Sequence, residues 1–139
     1  MPKIAYFLAK SDPSEYSLHD LKRDGETLWN GVKNPAALQA IRSIRKGDCV
    51  LIYHSQGESS IVGWAYASED SSPDPANPKL AVVSIRYGGT LSQPLTLAEV
   101  KADGNFSDFA LVRQGRLSTM SVPSEFIAWL KRVRKDFKP

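Results

Sequence analysis

The stretch Gly47-Asp48-Cys49-Val50-Leu51-Ile52-Tyr53-His54 decides the fold. Gly-Asp is a turn pair, and the residues after it are apolar, β-branched or aromatic. Cys49–His54 is therefore a buried strand, closed by polar His54 and Ser55. A second run of the same kind, 60–69, follows across 56–59, so the two read as hairpin neighbours. Upstream, 4–10 is another strand, stopped by Ser11-Asp12-Pro13. Ser17 with Asp20 three residues on is a capping pattern, predicting a short helix over 18–23 that ends at Gly25. Trp29-Asn30-Gly31-Val32 reads as loop or extended chain. Pro35 suits a first helical turn, and Ala36 to Ile44 sustain that helix until Gly47.

Downstream, 70–78 holds Pro73, Pro75 and Pro78 and reads as a loop. Residues 80–87 form a half-buried strand, 94–101 a helix capped near Thr96, and 106–111 a helical turn. The last strand is 117–122. The final helix, 124–136, places Phe126, Leu130, Val133 and Phe137 on one face, with Lys131, Lys135 and Lys138 roughly opposite. Trp64 and Trp129 have ordinary packing places in strand and helix. Short helices mixed with strands, without regular βαβ alternation, give an α+β class built on a small curved sheet or barrel. No linker divides the chain, so 1–139 is expected to be a single domain.

Composition narrows the function. At 139 residues and 15.3 kDa, with 42% apolar and 24% charged residues, the chain is an ordinary globular domain. Its one cysteine, Cys49, excludes an internal disulfide and a CxxC site, and in an apolar strand it reads as a small buried hydrophobe. Apolar runs are too short to span a membrane, and no signal-peptide core precedes Lys10. The expectation is a cytoplasmic protein with no membrane segment, no metal and no cofactor. GxSxG, HExxH, Walker and GxGxxG patterns are absent. Of the two histidines, His19 belongs to an exposed helix beside Asp20.

The net charge of +3 is unevenly placed. The last twelve residues carry Lys131, Arg132, Arg134, Lys135 and Lys138 against Asp136, and the rest of the chain is slightly acidic. Two stretches hold no acid: 27–47, with Lys33, Arg42, Arg45 and Lys46, and 109–124, with Arg113 and Arg116. Such stretches form a phosphate-binding patch if they converge, and a solvated face if they do not.

Polar hydrogen-bonding groups beside aromatics or turns cluster in four places: Lys10-Ser11-Asp12-Pro13 with Tyr16-Ser17, Trp29 to Asn34, Tyr53-His54-Ser55, and Arg113-Gln114-Gly115-Arg116-Leu117-Ser118. All fall at the ends of elements, where binding sites are built. In order, Lys10 to Ser17 leading into Asp20-Leu21, Trp29-x-Gly31-Val32-x-Asn34, Gly47-Asp48, Tyr53-His54-Ser55, Ile61-Val62-Gly63, Thr96 to Asp103, and Arg113-Gln114-x-Arg116-Leu117-Ser118 resemble the EVE domain family. That family is a branch of the PUA-like superfamily, related to thymocyte nuclear protein 1 and, more distantly, to YTH and ASCH domains. The resemblance implies a PUA-like β-pseudobarrel with flanking short helices and a pocket for a nucleobase, in a reader of modified bases in DNA or RNA rather than a catalyst. Where the family usually has Arg, this chain has Lys33. Where the family tends to place Gln and Arg, it has Pro35-Ala36-Ala37-Leu38.

On this reading the ligand-binding residues are Lys10, Ser11, Trp29, Val32, Lys33, Asn34, Tyr53, His54, Ser55, Arg113, Arg116, Leu117 and Ser118, and the partner is nucleic acid carrying a modified or unpaired base. Trp29 stacks the base and Tyr53 forms the other wall of the slot. Asn34, His54 and Ser118 meet the base edge, while Lys10, Lys33 and Arg116 meet phosphate. Each residue also has a plain structural reading: Trp29 and Tyr53 as core edge, Asn34 as the cap before Pro35, and Arg113 and Arg116 as solvated charges. A small enzyme acting on a modified base or nucleoside, like some ASCH relatives, is the rival, with Lys10 as nucleophile or base. A protein-interaction domain using the basic helix is a third reading.

Overall fold

The computed structural model describes residues 4–57 and 59–139. Its centre is the strand expected at Cys49–His54, here β3. Alternate side chains of β3 enter different cores: Cys49, Leu51 and Tyr53 on one face of the sheet, Val50 and Ile52 on the other. Period-two geometry with both faces covered explains why the run is uniformly apolar rather than alternating.

The strands β1 (Tyr6–Ser11), β2 (Glu26–Trp29), β4 (Ser60–Ala67), β5 (Ser72–Asp74), β6 (Asn77–Thr96) and β7 (Thr119–Ser121) join β3 in a mixed sheet ordered β2-β6-β4-β3-β1-β7. β5 pairs with β6 off this path. β3 and β4 are antiparallel neighbours, as their hairpin spacing predicts, and β1 runs parallel to β3. A parallel pair needs a long crossover. It is supplied here by α1 (Leu18–Asp24), β2 and α2 (Pro35–Arg42). α1 starts with the expected capping box of Ser17 and Asp20.

Helices α3 (Leu97–Asp103), α4 (Ala110–Arg113) and α5 (Ser124–Val133) contribute to one core, around fully buried Phe126. Phe106, Phe109 and Trp129 surround that ring at centroid distances of 4.8–5.6 Å. Trp64 packs edge-on against Phe137. Leu18, Leu21, Leu38 and Ile41 of α1 and α2 fill the other core. Among the described residues no ladder joins β2 to β7, the two ends of the sheet. Instead α2 packs against both β7 and β6 and covers the opening. The sheet is thus a pseudobarrel, closed by a helix rather than by hydrogen bonds.

Several boundaries differ from the sequence reading. Residues 26–29 form edge strand β2, so Trp29 ends a strand instead of lying in a loop. The proline-rich segment 70–78 contains β5, compatible with proline because β5 is paired on β6 alone. The strand expected at 80–87 is the middle of the 20-residue β6, which continues through Pro94 to the helix cap, Thr96. The helix expected from residue 94 begins at Leu97, and the helical turn expected at 106–111 lies at Ala110–Arg113. The last strand shrinks to three residues, and α5 stops at Val133 rather than Asp136. Val133, assigned to the apolar face, is 37% exposed.

Arg134 breaks the pattern of a solvated tail. It is buried and donates to both Glu99 carboxylate oxygens at 2.8 and 2.9 Å and to the carbonyls of Gln93 and Pro94. Lys131, Lys135 and Lys138 are exposed, as their spacing implies.

Candidate functional site

The gap between the sheet ends is where side chains meet. β1 delivers Lys10 and Ser11 to its rim. The chain then turns tightly through 12–16, because the Asp12 carbonyl accepts from both Glu15 and Tyr16 N–H groups at 2.9 Å. Ser11 Oγ donates to the Tyr16 carbonyl. Asp12 Oδ1 accepts from the Ser14 hydroxyl and amide, which holds the Asp12 carboxyl below its ordinary range.

On the facing side β2 presents Thr27, Leu28 and Trp29, and residues 30–34 lead into α2. Gly31 sits at φ +76°, a left-handed conformation glycine adopts without strain. It lets the chain swing from the sheet edge onto the helix. Together these segments and Ser118 line a cleft of about 600 Å³, within the range of small-molecule sites. Trp29 is half-buried in its wall, with an indole Nε1 that is buried and finds no partner among the described residues.

The cleft brings together Lys10, Ser11, Trp29, Val32, Lys33, Asn34 and Ser118 from distant parts of the sequence. Lys10 Nζ reaches across and donates to the Gly115 carbonyl at 2.9 Å, and its backbone N–H bonds the Ser118 carbonyl. Burial lowers the Lys10 pKa below its ordinary 10.5. Asn34 also caps α2, its Oδ1 accepting from the Ala36 and Ala37 amides at 2.9 and 3.2 Å. Its acceptor is therefore spent, and its amide donors remain. Arg116 and Leu117 line an adjoining hollow, with Asn34 at the boundary between the two.

Other expected residues stand elsewhere. Tyr53 is 3% exposed in the core, with Lys10 Nζ 5.5 Å from its ring centre, so it is no wall of the cleft. His54 turns towards α1: its Nε2 accepts from the Leu18 amide at 3.1 Å, one of the N-terminal donors a helix cannot satisfy internally. Ser55 bonds the Ser11 carbonyl through its amide at 3.0 Å and lines no part of the cleft. Arg113 is exposed on α4, away from it. The strand-end position of Tyr53-His54-Ser55 is real, but a parallel neighbour, β1, lies between this strand and the gap.

Conversely, Asp12, Glu15, Tyr16, Thr27 and Leu28 line the cleft though none is among the expected ligand-binding residues. Asp12, Glu15 and Tyr16 were within reach, since they share the turn that follows Lys10-Ser11. Leu28 carried no such signal, because its 46% exposure depends on β2 being an edge strand. Among the described residues no cluster of His, Cys, Asp and Glu is placed to hold a metal, and no helix is long and apolar enough to cross a membrane. Cys49 is buried, and burial pushes its thiol pKa up to about 12.

A mixed α+β sheet of this order, with short helices and a cleft at its helix-covered opening, defines a PUA-like domain. An ASCH protein from Zymomonas mobilis shares it at a TM-score of 0.56 and 12% identity, over 94% of this chain and 96% of that one. The chain belongs to the EVE domain family, which it matches over residues 5–132. A Rhodopseudomonas palustris protein solved by NMR superposes with a TM-score of 0.90 at 33% identity, covering 98% of this chain and 97% of that one. Human thymocyte nuclear protein 1 is 27% identical over 157 residues, spanning 87% of this chain and 70% of that protein. The human THYN1 protein, crystallised in complex with 5-methylcytosine-containing DNA, has the same fold at a TM-score of 0.85 and 22% identity, over 97% of this chain and 99% of that one.

Proposed function

We propose that the cleft is a nucleobase slot and that the protein reads a modified or unpaired base in DNA or RNA without transforming it. The observation that carries this is Trp29, a half-buried indole in the wall of an open cleft whose rim offers Ser11, Asn34 and Ser118 for a base edge. Stacking on an indole contributes about 1–3 kcal/mol per base and tolerates any base, so discrimination must come from the polar rim. Asp12 and Glu15 add carboxylate acceptors there, the groups that pair with an exocyclic amine such as that of cytosine. That human THYN1 has been crystallised with 5-methylcytosine-containing DNA supports nucleic acid as the partner.

A base must leave its stack to enter such a slot, at a cost of a few kcal/mol that is smallest for unpaired or mispaired positions. The test is a binding screen against short oligonucleotides and nucleosides that differ only in one base modification, repeated with Trp29→Ala. Base-selective binding that disappears in the variant supports the slot. Equal binding to all bases by both proteins would sink it.

A further inference from the structure

The cleft itself offers phosphate little net attraction. Lys10 and Lys33 line it together with Asp12 and Glu15, and the Lys10 ammonium is already engaged with the Gly115 carbonyl. The backbone that delivers a base needs cations beyond Lys33. At the far end of α2 lies a separate cavity of about 410 Å³, whose lining includes Arg42, Arg45, Asp70, Ser71 and Ser72.

Its two arginines are set in place by backbone carbonyls instead of carboxylates. Arg42 Nη2 donates to the Lys79 carbonyl at 2.8 Å, and Arg45 Nη1 donates to the Arg42 and Ile44 carbonyls at 2.8 and 3.1 Å. The ion pairs among the described residues join Arg23 to Asp20 and Asp24, and Arg134 to Glu99, so neither Arg42 nor Arg45 is neutralised by one. Both are exposed, and each keeps several N–H donors unspent. The acid in the lining, Asp70, directs Oδ1 to the Lys46 amide at 2.9 Å. Lys46, next to Arg45 in sequence, and Lys79, whose carbonyl holds Arg42, are exposed. Pre-set, unneutralised guanidinium forks next to the Ser71 and Ser72 hydroxyls match the oxygens of a phosphodiester.

We infer that Arg42 and Arg45 form a second nucleic-acid contact, gripping a backbone phosphate of the strand whose base occupies the cleft. The spacing follows from α2, which begins beside the cleft at Asn34 and ends at Arg42. Its 8 residues rise by about 12 Å at roughly 1.5 Å each. For a strand stacked as in a duplex, at about 3.4 Å per nucleotide, that is three to four steps from the base being read, and fewer for an extended strand. This inference rests on the nucleobase reading of the cleft.

The experiment uses the full chain, a single strand of about 12 nucleotides with one central 5-methylcytosine, and the trinucleotide with the same centre, whose single nucleotide on either side of the read base does not reach from the cleft to the arginines. Arg42→Gln/Arg45→Gln should bind the long strand about 10-fold more weakly and flatten its log–log salt slope by about one unit or more, leaving the trinucleotide unchanged. Arg42→Lys/Arg45→Lys, which keeps the charge, should retain most of the slope. Unchanged affinity and slope in the Gln variant would overturn the inference, as would equal losses on both probes, which signal a disturbed fold. If the wild type ignores the trinucleotide while the long strand still responds to the Gln pair, the slot reading fails for this base and the arginine contact stands.

Discussion

Lys10 and Gly115 are 105 residues apart, yet the Lys10 ammonium donates to the Gly115 carbonyl at 2.9 Å and ties the start of the cleft to the loop opposite. That bond bears on whether the protein reads or reacts. A catalytic amine must be neutral near pH 7 and free to attack. Burial does lower the Lys10 pKa below 10.5, but the nitrogen would have to give up a proton while held against a carbonyl oxygen, a contact that favours the cation. Lys10→Met should therefore weaken oligonucleotide binding and cost about 1–2 kcal/mol of stability as the loop loses its anchor. Incubation of the protein with acylated and alkylated nucleosides, followed by mass spectrometry, should show no turnover. Steady conversion that Lys10→Met abolishes would replace the reader with an enzyme.

Trp29 and Lys33 should fail in different ways. Removing the indole in Trp29→Ala removes a stacking surface worth about 1–3 kcal/mol, so affinity for the preferred base should fall roughly 5- to 150-fold, with Trp29→Phe intermediate. Lys33→Gln should weaken all sequences alike and flatten the salt slope by about one unit. Anisotropy titrations at several salt concentrations separate the two. Base-independent loss in Trp29→Ala would assign the indole to the fold.

Much of this architecture is legible in the sequence because its signals are local. The capping pair Ser17 and Asp20, the Pro35 start of α2 and the apolar run of β3 each declare themselves within a few residues. What stayed hidden depends on partners distant in sequence. β2 is short and half exposed, and only pairing with residues 83–86 of β6 makes it a strand. Leu28 therefore becomes a cleft residue without any marking of its own. The burial of Tyr53 and the orientation of His54 follow from packing against β1 and α1, which no local pattern reveals.

The approach of β4 to β6 is as tight as backbone allows, and it should tolerate no added methyl. A Cβ on Gly89 would lie 2.3 Å from Trp64 Cζ2, deep in the indole, and one on Gly63 would lie 2.3 Å from the Gly89 carbonyl oxygen. Trp64 has no room to retreat, being 6% exposed against Phe137. Gly89→Ala and Gly63→Ala should each cost about 1–3 kcal/mol, with Gly63→Ala the worse because backbone must move. Gly115→Ala, which meets nothing within 4 Å, is the control. Urea unfolding midpoints read the order directly, and a Gly89→Ala protein as stable as the control would show that the sheet yields here.

His54 supplies the acid limit of stability. Its Nε2 accepts the Leu18 amide proton at 3.1 Å, which requires that nitrogen to be unprotonated and places the ring proton on Nδ1. Burial lowers its pKa below the ordinary 6.5. With the folded value below the unfolded one, the unfolded chain binds more protons between the two. The stabilisation is therefore complete above pH 6.5 and is lost as pH falls through the lowered folded pKa. The slope approaches about 1.4 kcal/mol per pH unit inside that window. Asp12, Asp20, Asp24, Glu99 and Asp136 all have carboxyl pKa values pulled down by hydrogen bonds, so their losses come at more acid pH. His54→Gln keeps an oxygen acceptor for the Leu18 amide and removes the titration. Urea unfolding at about pH 7.5 and about pH 5.5, either side of the ordinary histidine value, should show the wild type losing stability on acidification and His54→Gln losing much less. Parallel losses in the two proteins would mean that His54 takes up its proton as readily in the folded chain as in the unfolded one, and that its bond to Leu18 contributes nothing.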